Sequence, residues 1–355
     1  MKKLSTSLLI LLPLLANAQY RPSITGILMH REPSARSEAM GKAFVSVDGD
    51  LSAAFSNPAA ISTIQGAELA GSYSDGVLDW NTDFLHYSAG FRLNRYLQFA
   101  FSSHQFTLKD VSDAFGNIFD ATTEKYCLTI ASEPMPGLLI GTNVGNFSIG
   151  LPIGDPADGW YADFGVIKKF DLFKNETSSH GFNLAASVSN FTAAHIEGEM
   201  SDSLNTNNFD EEMPVISKFG ANYRYSLDKK FLIDKLNTLD VLAQVEYQDL
   251  LNSKYNSAIR CGAEVLLLEL LALRAGYYSE KVYDHDLPEY NKSEISDFSW
   301  GLGLQVPLYK LTNIPLRLNF DYVSMPQISG MKNPDHQYDF NTYSFRLSWI
   351  PGRSN

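Results

Sequence analysis

From residue 67 onward the chain repeatedly places apolar and polar residues in strict alternation. Tyr343, Phe345, Leu347 and Trp349 alternate with Thr342, Ser344, Arg346 and Ser348. Leu316, Leu318, Phe320 and Tyr322 alternate with Arg317, Asn319 and Asp321, and Leu239, Val241, Ala243, Val245 and Tyr247 with Asp240, Gln244 and Glu246. Phe219, Ala221, Tyr223 and Tyr225 do the same with Lys218, Asn222 and Arg224. Successive strand side chains point to opposite faces, so each segment has one apolar, aromatic face and one polar face. Past the N-terminus no apolar run approaches the ~20 residues that a membrane helix needs. The longest, 265–273, is interrupted by Glu269. Segments of ~10 residues, apolar outward and polar inward with aromatics at their ends, are the pattern of a transmembrane barrel.

The alternation predicts strands near 67–75, 82–93, 95–107, 122–132, 137–150, 158–170, 179–190, 215–227, 238–250, 255–268, 269–279, 294–307, 314–325 and 341–350. The fold class is therefore all-β, a transmembrane antiparallel β-barrel of about fourteen strands. An even count is what a single-chain bacterial barrel needs to close. Residues 265–273 read as a hairpin, because Ile259, Cys261, Ala263 and Val265 alternate with Arg260 and Glu264 before it, and Leu271, Leu273, Ala275 and Tyr277 with Arg274 after it. That pattern turns Arg260, Glu264 and Arg274 toward the lumen. Short links at 93–96, 267–270 and 308–314 contrast with long polar ones at 110–124, 197–214, 280–297 and 324–341, as expected of short periplasmic turns and longer outer loops. Residues 197–212 carry six acids and no base, which reads as a solvated loop rather than a calcium site.

The start of the chain sets the compartment. Met1-Lys2-Lys3, an apolar run from Leu8 to Leu15 and Ala16-Asn17-Ala18 form a secretory signal peptide, residues 1–18, with cleavage before Gln19. The barrel takes residues 67–350, and 351–355 form a short tail. Between signal and barrel, 19–66 reads as a hatch. Pro33 to Ser62 is dense in Ala, Ser and Gly, which permit close backbone packing in a lumen. Asp50 is placed to cap a short helix through Phe55. Asn57-Pro58 ends it, since the residue before proline avoids the helical region. Gly41 allows a bend. Arg36, Glu38, Asp48 and Asp50 have one another, Arg260 and Arg274 as available partners.

Ala35-Arg36, Met40-Gly41, Ala43-Phe44-Val45 and Asn57-Pro58-Ala59 resemble the N-terminal hatch of FadL-type outer-membrane barrels, and most of all the PorV/PorQ family of Bacteroidetes-type bacteria. Gly262-Ala263-Glu264 with Leu273-Arg274-Ala275-Gly276-Tyr277 resembles a late strand pair of that family. The resemblance implies a fourteen-stranded barrel in the outer membrane of a Gram-negative, Bacteroidetes-type cell, with an inward hatch. It also implies one of two roles: an accessory of type IX secretion that holds cargo or translocon proteins, or a channel for hydrophobic small molecules. The first is the main expectation and the second the alternative. A lateral opening for the second would fall at Pro136 or Pro152.

Other classes fit poorly. A net charge of −12 argues against a nucleic-acid partner. Cys127 and Cys261 are ordinary strand residues rather than a disulfide framework. The seven histidines are scattered, His86 and His104 on neighbouring strands included, and form neither a nucleophile motif nor a metal motif such as H-E-x-x-H. The expectation is thus a noncatalytic protein without metal or cofactor, whose partners are outer-membrane lipid and either secretion proteins or a hydrophobic solute.

Overall fold

The computed structural model describes residues 31–75, 81–112, 118–150, 156–201, 206–227, 235–251, 257–282, 293–312, 314–326 and 339–351. The signal peptide, Pro152, and parts of the long connections fall outside the described residues. The strands are β1 (Ala67–Asp75), β2 (Thr82–Asn94), β3 (Leu97–Ser112), β4 (Ile118–Met135), β5 (Leu138–Ile149), β6 (Ala157–Lys174), β7 (Ser178–Ser189), β8 (His195–Ser201), β9 (Thr206–Glu212), β10 (Ile216–Leu227), β11 (Leu239–Leu250), β12 (Ser257–Leu267), β13 (Leu271–Val282), β14 (Ser293–Val306), β15 (Leu316–Met325) and β16 (Phe340–Trp349). All but β8 and β9 form one antiparallel ring, closed by pairing of β1 with β16, β7 with β10, and β5 with β6. Closure removes the sheet edges that hydrocarbon cannot hydrate.

The ring has fourteen strands, and each falls on a segment of alternating sequence. The alternation sets the faces. Along β11, Ala243, Val245 and Tyr247 are exposed to the outside, while Leu242, Gln244, Glu246 and Gln248 are buried within. The outer face collects Leu69, Phe101, Val144, Phe164, Phe219, Ile259, Phe298, Trp300 and Phe345, an apolar surface that lipid covers. Tight turns lie at one end, as at Pro136-Gly137 and between Leu267 and Leu271. A short α1-like turn of the link after β14, Leu308–Leu311, lies at the same end.

Two expectations about connections are corrected. Residues 110–124 are mostly strand, because β3 and β4 stay paired out to Ser112 and Ile118 beyond a bulge after Leu108. Residues 197–214 are not a bare loop: β8 and β9 pair from His195↔Glu212 to Ser201↔Thr206. The acidic composition hid the hairpin, whose strands carry few apolar residues. Proline does not open the wall at β5 either. Pro136 sits in the turn, and β5 is paired along its length to β4 and β6.

Val245 lies mid-strand on the outer face and is 58% exposed. Val245→Arg should destabilise the barrel by ~2–4 kcal/mol in bilayers. Urea titration followed by the heat-modifiable gel shift measures it, and an unchanged midpoint would mean the outer face is not lipid-covered at this depth.

Candidate functional site

The lumen is filled by the segment preceding β1. Its backbone has only short helical pieces: Ala35–Ala39 and two 3-10 turns, Leu51–Phe55 and Pro58–Thr63. Each is capped from its own side chains. The Ser34 hydroxyl accepts from Ser37 N, Asp50 from Ser52 N, and Asn57 Oδ1 from Ala59 N at 3.0 Å. Pro58 opens its turn, where a missing N–H costs nothing. So short a set of helices leaves many backbone groups unpaired. The inward polar side chains of the wall take them. Glu246 accepts from Phe44 N and Val45 N, both at 2.8 Å, and Glu68 accepts from Leu51 N at 2.9 Å. Ser299 Oγ accepts from Gly41 N, Asn143 donates to the Ala54 carbonyl, and Ser187 to that of Ser56.

Close approach depends on glycines in the wall. A Cβ at Gly276 would stand 1.9 Å from Gly41 N, one at Gly262 2.3 Å from the Met40 carbonyl oxygen, and one at Gly141 2.5 Å from the Pro58 carbonyl. At Gly165 it would collide with Asn57 Oδ1 at 2.0 Å. Gly90, Gly220 and Gly301 make the same room for Leu51, Val45 and Ala39. Gly41 itself has φ +65°, a bend only glycine adopts without strain. Asn57 is fully buried, and its amide donates to the carbonyls of Val45 at 2.9 Å and Val166 at 3.2 Å. Ala59 packs with Met40, Phe44, Val45, Leu139 and Ile167.

Charge completes the seat. Arg36 bridges the segment to the wall, pairing with Asp50 at 2.8 Å and with Glu264 at 2.6 Å. Arg274 holds Glu264 from the other side and reaches Asp321 at 2.7 Å. Arg346 adds a contact to Asp50 at 2.6 Å. Arg260 forms its ion pairs with Glu246 and Glu280 of the wall rather than with Glu38, Asp48 or Asp50 of the segment. Asp48 meets Lys169, and Arg224 at 3.8 Å. Burial alone would push the Asp48 carboxyl up, but Arg224 and Lys169 outweigh it and hold it at about 2. Asp50 is likewise held low against its burial by Arg346 and Arg36.

The segment divides the lumen into unlike halves. Toward the tight-turn end is a polar vestibule of about 440 Å³, lined by Arg36, Asp48, Glu264, Arg274, Arg317 and Arg346 among others. Toward the long-connection end an apolar cluster adjoins buried ion pairs, among them Arg31–Glu38, Lys42–Glu280 and Lys218–Glu32. Phe84, Phe106, Phe147 and Tyr161 from the wall, Ile196 and Met213 from the base of the β8–β9 hairpin, and Ile216 and Leu250 form one buried cluster. The hairpin base lies on the inner face of β6, where the His195 carbonyl fills the space a Cβ at Gly159 would take, at 2.1 Å. Alternation alone did not reveal this cluster. Its inward phenylalanines look like any strand aromatic until register sets them side by side, Phe84↔Phe106.

The fold and lumen define an outer-membrane β-barrel with an internal N-terminal segment. No family model matches the sequence, and no curated protein matches it. Among solved structures it is similar to the Pseudomonas putida toluene transporter TodX, at 13% identity and TM-score 0.46, covering 91% of this chain and 98% of that one. A Pseudomonas aeruginosa FadL homologue matches at 13% identity and TM-score 0.47 over 94% of this chain and 99% of its own. The Ralstonia pickettii toluene transporter TbuX matches at 10% identity and TM-score 0.44, covering 91% and 99%.

Two outcomes follow from the seat. Asn57→Leu leaves buried carbonyls unpaired at a cost of ~1–3 kcal/mol, so the barrel should fold while residues 31–64 become protease-sensitive; a segment as resistant as the native one would contradict the seat. The second outcome concerns acid. The folded-state value of Asp48 lies below its ordinary 3.8. The stabilisation it gives is therefore complete above about pH 4 and is lost as pH falls through about 2. Proteolysis by an acid-active protease should accelerate across that window, and Asp48→Asn should flatten the profile.

Proposed function

We propose that this chain is an outer-membrane channel for small hydrophobic molecules, with the N-terminal segment as its hatch and Arg36, Met40, Gly41, Asp48, Asp50, Asn57, Pro58 and Ala59 as the hatch residues. The lumen-facing Arg260, Glu264 and Arg274 hold the wall side of its seat. One observation carries the reading: an aromatic-rich apolar cluster lies inside the barrel in its outer half, beside buried ion pairs such as Arg31–Glu38 and Lys218–Glu32. A barrel passing polar solutes is lined with polar groups and water. Here Phe84, Phe106, Phe147, Tyr161 and Met213 pack as an aromatic-rich cluster inside the barrel, which would part to take an apolar ligand. A solute held there stands directly above the hatch residue Phe55, whose ring lies 4.9 Å from that of His104. Passage then requires the hatch to move, and its hold is ionic and hydrogen-bonded rather than covalent. The chemistry is binding and gating, without catalysis.

A second reading, an accessory of type IX secretion of the PorV/PorQ kind, draws on different observations. The wall is unbroken at β5, and the β8–β9 hairpin offers a polar projection on the long-connection side. On that reading the barrel holds protein partners and the hatch never opens.

Proteoliposome uptake separates the two. With a labelled monoaromatic or alkane probe, the channel should raise uptake at least several-fold over empty vesicles, and Phe84→Asp with Phe106→Asp should abolish the gain. Failure of uptake, together with loss of secreted proteins on deletion of the gene, would favour the second reading.

A further inference from the structure

Near the seam where β16 meets β1, the lipid-facing side of the wall is hollowed. A groove of about 510 Å³ runs over β16, β1, β2 and β3 at the tight-turn end. Register gives its shape, because outward residues of neighbouring strands line up in rungs. The first rung is Trp349, Ala67, Phe91 and Phe99, and the second is Leu347, Leu69, Ala89 and Phe101. Each rung holds one alanine among large side chains: Ala67 between Trp349 and Phe91, Ala89 between Leu69 and Phe101. On the next rung Gly71 stands between Phe345 and Tyr87. Small residues thus form the floor, and half-exposed Leu, Phe and Trp side chains form the walls.

Width and chemistry decide what fills such a groove. Walls two strands apart stand about 9–10 Å from each other. One hydrocarbon chain fits between them. An α-helix with its side chains needs about 10–12 Å and would ride over the walls rather than enter. An extended peptide would bring backbone N–H and C=O groups to a surface that has no partner for them. The one acid at the groove, Glu68, turns its carboxylate inward, to Leu51 N and the Ser348 hydroxyl. Elsewhere on the outer face lipid meets protruding aromatic side chains. Here a chain is touched from the floor and from both sides, so more of its surface is in contact with protein.

The end of the groove nearest the tight turns is polar. Trp349, exposed there, carries an indole N–H donor. Beyond Phe91 and Phe99 the β2–β3 turn adds Arg95 and the exposed Tyr96. Arg95 Nε donates to the Glu133 carbonyl at 3.3 Å, and the Glu133 carboxylate stands off at 3.6 Å. The two terminal nitrogens of Arg95 have no hydrogen-bond partner among the described residues and suit a phosphate. Tight turns face the periplasm in barrels of this kind, and the leaflet on that side of an outer membrane is phospholipid. We propose that the groove binds one phospholipid of this leaflet, with an acyl chain along Ala67 and Ala89 and its phosphate at Arg95, Tyr96 and Trp349. The site lies outside the lumen and does not depend on what the barrel passes.

The test uses the full-length mature barrel, stripped of lipid in a non-ionic detergent, supplied with dioleoylphosphatidylglycerol and examined by native mass spectrometry. The wild type should retain one phospholipid through washes that remove the others. Ala89→Phe, which fills the floor, should lower that occupancy several-fold, while Ala243→Phe, on the outer face away from the groove, should leave it unchanged. Arg95→Gln should weaken retention of the phospholipid but not of dioleoylglycerol, which has the same chains and no phosphate. The heat-modifiable gel shift reports folding, and Ala67→Leu replaces Ala89→Phe if the latter does not fold. No retained lipid, or retention that both phenylalanine variants leave unchanged, overturns the site. A lipid-free dimer that Ala89→Phe dissociates would make the occupant a second copy of the chain and overturn it as well.

Discussion

A fourteen-stranded ring is too wide for its own side chains to fill. Eight strands bring inward residues into contact across the axis, whereas sixteen leave a water channel. This chain lies between those limits and closes the gap with its own N-terminal residues. The contact on which the interior depends is therefore backbone against wall, made where wall glycines meet the segment. At Gly276 and Gly262 the main chain of Met40-Gly41 lies closer than any side chain would permit. At Gly141 and Gly165 the same holds for Asn57-Pro58. Gly41 and Asn57-Pro58 are thus the two points at which the segment touches opposite sides of the ring. Between them Phe44, Val45 and Val47 pack into the cluster that also holds Leu139, Ile167 and Leu242.

Putting a segment with so little regular structure into a lumen raises an electrostatic problem, and its solution explains the polar inward face. Each buried backbone amide and each charge needs a partner in a region that water barely reaches. Glu246 meets two amides and Arg260 at once. Glu264 is clasped between Arg36 and Arg274. Such pairs contribute little net stability over an apolar core, but removing one member leaves a charge stranded. Their effect is to specify one seat for the segment, because any slip along the ring separates several pairs together.

The sequence disclosed the strands more fully than the interior, for a physical reason. Lipid selects one face of each strand for apolarity, so alternation survives in segments such as 239–250 and 341–350 and marks every strand of the ring. Turn and cap chemistry was also legible, at Asp50 and at Asn57-Pro58. What was hidden depends on register between distant residues. Gly141 and Gly276 look like strand-weakening glycines until Pro58 and Gly41 are placed opposite them. Lys125 looks like an ordinary inward polar residue until its ammonium is placed over the rings of Phe55 and Tyr161. His86 and His104 read as scattered until pairing stacks them. The β8–β9 hairpin was missed because its sequence is rich in acids and carries few of the apolar residues that mark the strands of the ring.

The same logic bears on direction. The polar vestibule lies toward the tight turns and the aromatic cluster toward the long connections, with the hatch at their boundary. An apolar molecule gains free energy on leaving water for the cluster and loses it on entering the vestibule, in proportion to the surface involved. The vestibule therefore acts as a barrier rather than a second binding site for such a molecule. Its dense ion pairs are also what holds Asp48, Asp50 and Arg36 in place. A movement of the segment that opened a path would have to break those pairs on the vestibule side or, on the outer side, the Lys218–Glu32 and Lys42–Glu280 pairs and the hydrogen bonds of Arg31 to Ser74 and Thr342. The segment is thus held by charge on both sides, so that displacing it at either end strands a buried charge.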